Sequence, residues 1–167
     1  MEKILLIPRN LEKFFENKSL TFDFENNPFL FPLYLFDYFH KKYSKNQVIE
    51  KEGRSYYSRQ SVYCKYEEPL LSEGYKAWFI ASTKWNHVSF FLQIGKEGFI
   101  PFTNALEYAE GLISYIQIQV FADKISIFVN MNTCFDFSVL SCCNKISEDI
   151  TTEIKKYPGL SKLIKAP

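Results

Sequence analysis

Between Ile116 and Met131 apolar and polar positions alternate. Ile116, Ile118 and Val120 are separated by Gln117 and Gln119, and after Asp123 and Lys124 the pattern resumes with Ile125, Ile127, Val129 and Met131. A period of two places successive side chains on opposite faces of an extended chain, so these two runs predict a β-hairpin. Ala77 to Ser82 and Val88 to Ile94 are rich in aromatic and branched residues and flank the polar stretch Thr83 to His87, which predicts a second strand pair joined by a turn. Gly95 to Gly98 suggests a further turn into Phe99 to Phe102, with Pro101 at a strand end or sheet edge. Gln47 to Glu67 alternates less clearly; its tyrosines and Val62 favour strand, and it reads as a polar, basic hairpin.

Elsewhere the apolar spacing lengthens to three and four. Leu11, Phe14 and Phe15 form a helical stripe behind Asn10, a capping residue, with Glu12, Lys13 and Glu16 on the solvent side. A second helix is predicted from Pro32 through Leu35, Phe36, Phe39 and Tyr43, apolar nearly all round and therefore buried, with Pro28 to Phe31 as an extended lead-in. Thr103 or Asn104 can cap a helix to about Leu112. Ser147 can cap a last helix to Lys156, with Glu148 and Asp149 at its positive end and Lys155 and Lys156 at its negative end, stopped by Pro158 and Gly159. The elements together predict one α+β domain over residues 1–167, an antiparallel sheet of about five strands packed with N-terminal and C-terminal helices.

Composition narrows the setting. The 167 residues are 47% hydrophobic and 23% charged, as in one globular domain, and the 17 Phe and 11 Tyr imply a thick aromatic core. No apolar run reaches the roughly 18 residues of a membrane helix, and the segment before Arg9 is too short for a secretory core, so a cytoplasmic protein is expected. The net charge of +1 supplies no global field for a polyanion. Only Lys41 to Lys65 departs from balance, with seven positive residues against two negative.

The candidate chemistry is sparse. Cys64, Cys134, Cys142 and Cys143 do not form a disulfide framework, since the adjacent pair is too close to bridge without strain. Zinc needs paired ligands a few residues apart, whereas His40 and His87 stand alone. A thiol hydrolase would have to assemble Cys64, Cys134 or Cys142 with His40 or His87 and Asp123 or Asp136, and no local signature marks such a set. The cysteines read instead as small core residues in or beside the sheet. Gly95 and Gly98 enclose only Lys96 and Glu97, which is no phosphate loop, and Glu67-Glu68 and Glu148-Asp149 read as solvated or capping pairs. The sequence thus predicts no enzyme, no metal and no cofactor.

What remains is binding. Arg54, Tyr56, Tyr57, Arg59 and Tyr63 combine charge with rings in the basic segment, while Trp85 and His87 share a turn; tyrosine, tryptophan and arginine are the usual anchors of protein interfaces. The leading expectation is a protein-binding module, in its most concrete form a cytosolic inhibitor or immunity protein that neutralises a toxin domain. A Lys, Asn, Ile and Phe bias suits the AT-rich genome of a bacterium or phage, although +1 is less acidic than expected of a blocker of basic nucleases. The alternative is RNA or single-stranded nucleic acid held by residues 41–66, lysines on phosphates and tyrosines on bases. The same residues also fit a lysine-rich sheet edge protected from aggregation, with no binding role.

Overall fold

The computed structural model describes residues 6–17, 19–44, 50–53, 60–67, 71–96, 113–131 and 136–164. Its centre is an antiparallel sheet of six strands: β1 (Glu50–Gly53), β2 (Gln60–Lys65), β3 (Lys76–Thr83), β4 (Val88–Gly95), β5 (Ile113–Val120) and β6 (Ile125–Asn130). Strand order across the sheet equals order along the chain. Both sequence-predicted pairs are present, β3 with β4 and β5 with β6, and the basic segment contributes the β1–β2 pair. The expected strand Phe99 to Phe102 and helix from Thr103 or Asn104 to Leu112 lie outside the described residues, as does Cys134.

Among the described residues, two long helices and two short ones pack on one face of the sheet. Helix α1 (Leu11–Glu16) is capped by Asn10, whose side chain accepts from the Lys13 N–H, and its buried Leu11 donates its own N–H to Gln60 Oε1 at 2.8 Å. Helix α2 (Phe31–Tyr43) buries Phe31, Leu33, Leu35, Phe36, Phe39, His40 and Tyr43, as its nearly continuous apolar surface predicts. The approach to it differs from the sequence reading. Pro28–Leu30 is a 3-10 turn rather than an extended segment, because Asn27 accepts from the Phe29 N–H and starts the helical geometry early.

The last long helix also begins earlier than Ser147 predicts. Helix α3 runs Phe137–Lys155 and its cap is Asp136, which accepts from the N–H groups of Ser138 and Val139 at 2.9 and 3.3 Å. Ser147 sits in mid-helix, and Glu148 and Asp149 are not at the positive end. Asp149 instead accepts from the Tyr43 hydroxyl at 2.7 Å and from Lys42 at 3.3 Å, tying α3 to α2. Burial, followed by the bond to Asp149, pushes the Tyr43 phenol up to about 12. The buried Glu153 accepts from Tyr34 and Lys156, so its carboxylate is paired within the helix layer. After the turn at Lys156, the single-turn helix α4 (Pro158–Ser161) brings Ile164 beside Ile125 in a parallel bridge.

Register divides the strands into two faces. One holds Val62, Cys64, Ala77, Phe79, Ala81, Phe90, Leu92, Ile94, Ile116, Ile118, Val120 and Ile125, which join α2 and α3 in a single apolar core. Phe39 stacks on Phe79 and Phe90 at centroid separations of 5.3 and 5.4 Å. The other face carries the row Ser61, Ser82, Ser89, Gln119, Ser126, then Tyr63, Ile80, Phe91, Gln117, Phe128, then Lys65, Trp78, Gln93, Tyr115, Asn130. Ser61, Ser82, Ser89, Gln93 and Gln117 are nevertheless buried.

Candidate interaction surface

All six strands finish level at one end of the sheet. Gly53 pairs with Gln60, Gln60 with Thr83, Thr83 with Val88, Val88 with Val120 and Val120 with Ile125. A meander sends every second connection out at the same end, so the β3–β4 turn and the β5–β6 turn are neighbours there. The residues of these turns compose the surface.

The β3–β4 turn is closed by the Lys84 N–H donating to the His87 carbonyl at 2.9 Å. Arg9, from the segment before α1, donates to the carbonyls of Lys84 and Trp85, each at 3.4 Å, and so braces the turn from outside. Within this held loop Trp85 projects with 66% of its surface exposed. His87 does the opposite: it is buried, its ring lies 4.9 Å from that of Phe121 on the β5–β6 turn, and its Nδ1 is 2.7 Å from Asn86 Oδ1. Lys124 places its ammonium 5.0 Å from the Phe121 ring centre on the other turn. Trp85 and His87 thus share one turn, one as a projecting ring and one as the packing that fixes the turns against each other.

The remaining predicted contacts separate. Tyr63 lies on β2, on the polar face, packed edge-on to Trp78 at 5.8 Å and away from the turn surface. Arg54, Tyr56, Tyr57 and Arg59 lie outside the described residues. Of the basic segment's other members, Tyr43 and Tyr66 are buried in the core, Lys41 pairs with Asp37 at 2.9 Å, and Lys42 reaches Asp149 and the Tyr38 hydroxyl. Base stacking on Tyr43 or Tyr66 would require their removal from the core.

The thiols and imidazoles are similarly placed. Burial pushes the Cys64 thiol well above its ordinary range, with Glu67 adding to the shift, so it stays protonated. Cys142 and Cys143 are buried on α3, and His40 stacks against Phe36 within the core layer. Among the described residues no group of three His, Cys, Asp or Glu could hold a metal ion, and no helix is long and apolar enough to cross a membrane. Arg9 and Phe121 are the members of the turn surface that sequence reading missed. Both are distant in sequence from the turn: the level strand ends bring Phe121 to His87, and the bond from the Leu11 N–H to Gln60 at the start of β2 holds the segment that carries Arg9 at the same end. Comparison of the chain with protein-family models, with curated proteins and with solved structures yields no match.

Proposed function

We propose that the protein is a binding module that engages another protein through the turn end of its sheet, with Trp85 as the central contact. The supporting observation is a large aromatic ring, 66% exposed, on a turn held by its own backbone bond, by Arg9 and by the His87–Phe121 contact. Exposing an indole forgoes the gain of burying it, and holding it rigid in advance lowers the ordering cost of association. Tryptophan is enriched among residues that dominate binding energy, and Arg9 beside the turn, Lys84 within it and Lys124 with Asp123 on the neighbouring turn add charged groups at this end. In its most specific form the partner is a toxin domain whose active site this end covers.

The test is quantitative capture with wild type and Trp85→Ala, followed by affinity measurement on the partner recovered. Trp85→Ala should cost about 2 kcal/mol or more of binding while leaving the unfolding temperature unchanged. Inhibition of a co-purifying toxin, lost in Trp85→Ala, would support the specific form. Equal affinity of the two proteins for the partner, or tight binding of single-stranded RNA with a steep salt slope, would overturn the reading.

A further inference from the structure

The two edges of the sheet are built unlike one another. β1 reads Glu50-Lys51-Glu52-Gly53, with a charge at three of four positions, whereas the sequence from Ile125 to Phe135 carries no charge at all. Natural sheets protect exposed edges with charged residues, prolines or covering segments. On the outer side of β6, among the described residues, the covering segment is confined to one end, where the Ile125 N–H donates to the Leu163 carbonyl at 2.8 Å and Ile164 bridges Ile125. Further along, Phe128 is 44% and Val129 54% exposed, one on each face of the strand.

We infer that β6 is a self-association edge, at which a second copy of this chain adds its own β6 antiparallel across a two-fold axis through Phe128. The charge pattern selects this occupant. Pairing β1 with its own copy about Lys51 would set Lys against Lys and Glu50 against Glu52, and like charges directly opposite are destabilising. Pairing β1 with β6 would set charged positions beside Ile127, Phe128 and Val129 and would be a heterologous contact that does not close after two copies by a two-fold axis. The β6–β6 arrangement brings no charge opposite another, closes after two copies, and sets Phe128 opposite Phe128 with Ile127 opposite Val129. A perpendicular two-fold keeps both helix layers on the same side of one continuous twelve-stranded sheet. The contact is short, which places the dimer among weak interfaces. It does not involve the Trp85 end and stands independently of the partner proposed above.

Sedimentation of the intact protein from low micromolar to near-millimolar concentration reads it directly. The mass should rise from 19.7 kDa toward twice that value, while Phe128→Lys and Val129→Lys, checked for unchanged circular dichroism and unfolding temperature, should remain monomeric. Engineered thiols read the register without depending on those variants. Residues directly opposite in an antiparallel pair have Cα atoms about 4.5–5.5 Å apart, within disulfide range. Under copper-phenanthroline, which oxidises two thiols to one disulfide, Phe128→Cys should cross-link between copies at least tenfold faster than Val129→Cys, above the wild-type background. A wild-type protein monomeric throughout, a dimer that survives in folded Val129→Lys, or equal cross-linking by the two cysteine variants would each overturn the inference.

Discussion

The same five strands, β2 to β6, present two faces of opposite character. Toward the helices the buried strand positions are apolar except Thr83 and Ser114 near the strand ends, and Phe39, Phe79 and Phe90 stack against one another in a cluster. Away from them Ser, Gln and aromatic residues interleave, yet Ile80, Phe91, Gln93 and Gln117 are as buried as much of the core. Burial is thus shared by the two faces, and they differ in how it is stabilised. The helix face gains from apolar area and close packing, which tolerates no voids. The polar face must satisfy each donor and acceptor it removes from water, as the Ser61 hydroxyl does by donating to Ser82 at 3.1 Å across β2 and β3.

Substitutions should separate these two modes. Phe79→Ala removes the ring that touches Phe39, Tyr43, Tyr66 and Phe90 and should cost about 3–5 kcal/mol in urea unfolding, the largest effect anticipated here. A much smaller loss would mean that the aromatic cluster collapses to fill the space. On the polar face, Ser82→Ala should cost about 1 kcal/mol because it strands the Ser61 hydroxyl, and Ser61→Ala with Ser82→Ala together should lie nearer to wild type than the sum of the single changes. Strict additivity in that cycle would show that the serine pair is not coupled.

The smallest effect concerns the helix layer itself. Asp136 accepts from Ser138, Val139 and Ser72, and these bonds, led by the one from the Ser138 hydroxyl, hold its carboxyl below the ordinary value of 3.8. A depressed folded-state pKa contributes stability above the unfolded value and loses it as pH falls through the folded value. Wild type should therefore melt above Asp136→Asn at neutral pH, and the difference should close under acid. A difference that persists at pH values below the carboxylate range would assign the effect to geometry rather than charge.

Much of this architecture is legible in the chain, and the places where it is not have physical reasons. Period-two alternation at Ile116–Val120 and Ile125–Met131 and the nearly uniform apolar surface of α2 reveal their elements because each repeats over several residues. Alternation does not say that the polar positions are solvated: Gln117 reads as an outward residue and is buried on the second face. The start of α3 is hidden for a different reason. Ser147 is a plausible cap by residue type, but Asp136 also gains Ser138 and Ser72, and Ser72 belongs to the connection between β2 and β3, some 64 positions away. Of the interaction surface, Trp85 and His87 are visible as a turn pair, whereas their division into exposed ring and buried brace depends on Phe121 and Arg9. Cys64 is legible as a core residue from its type alone, and its burial on β2 agrees.

Strand order equal to chain order has a kinetic consequence. Each strand of β1 to β6 pairs with the one made just before it, and the two best-defined turns, Lys84–His87 and Phe121–Lys124, span only four residues each. Loop-closure entropy is small for such contacts, so hairpins can form in microseconds and the sheet can grow strand by strand as the chain leaves the ribosome. Only α3 and the Leu163–Ile125 pairing must wait for the C-terminal residues. Until they arrive, α2 and the helix face of β5 lack part of their cover, so the nascent chain is most exposed to aggregation before residues 136–164 are in place.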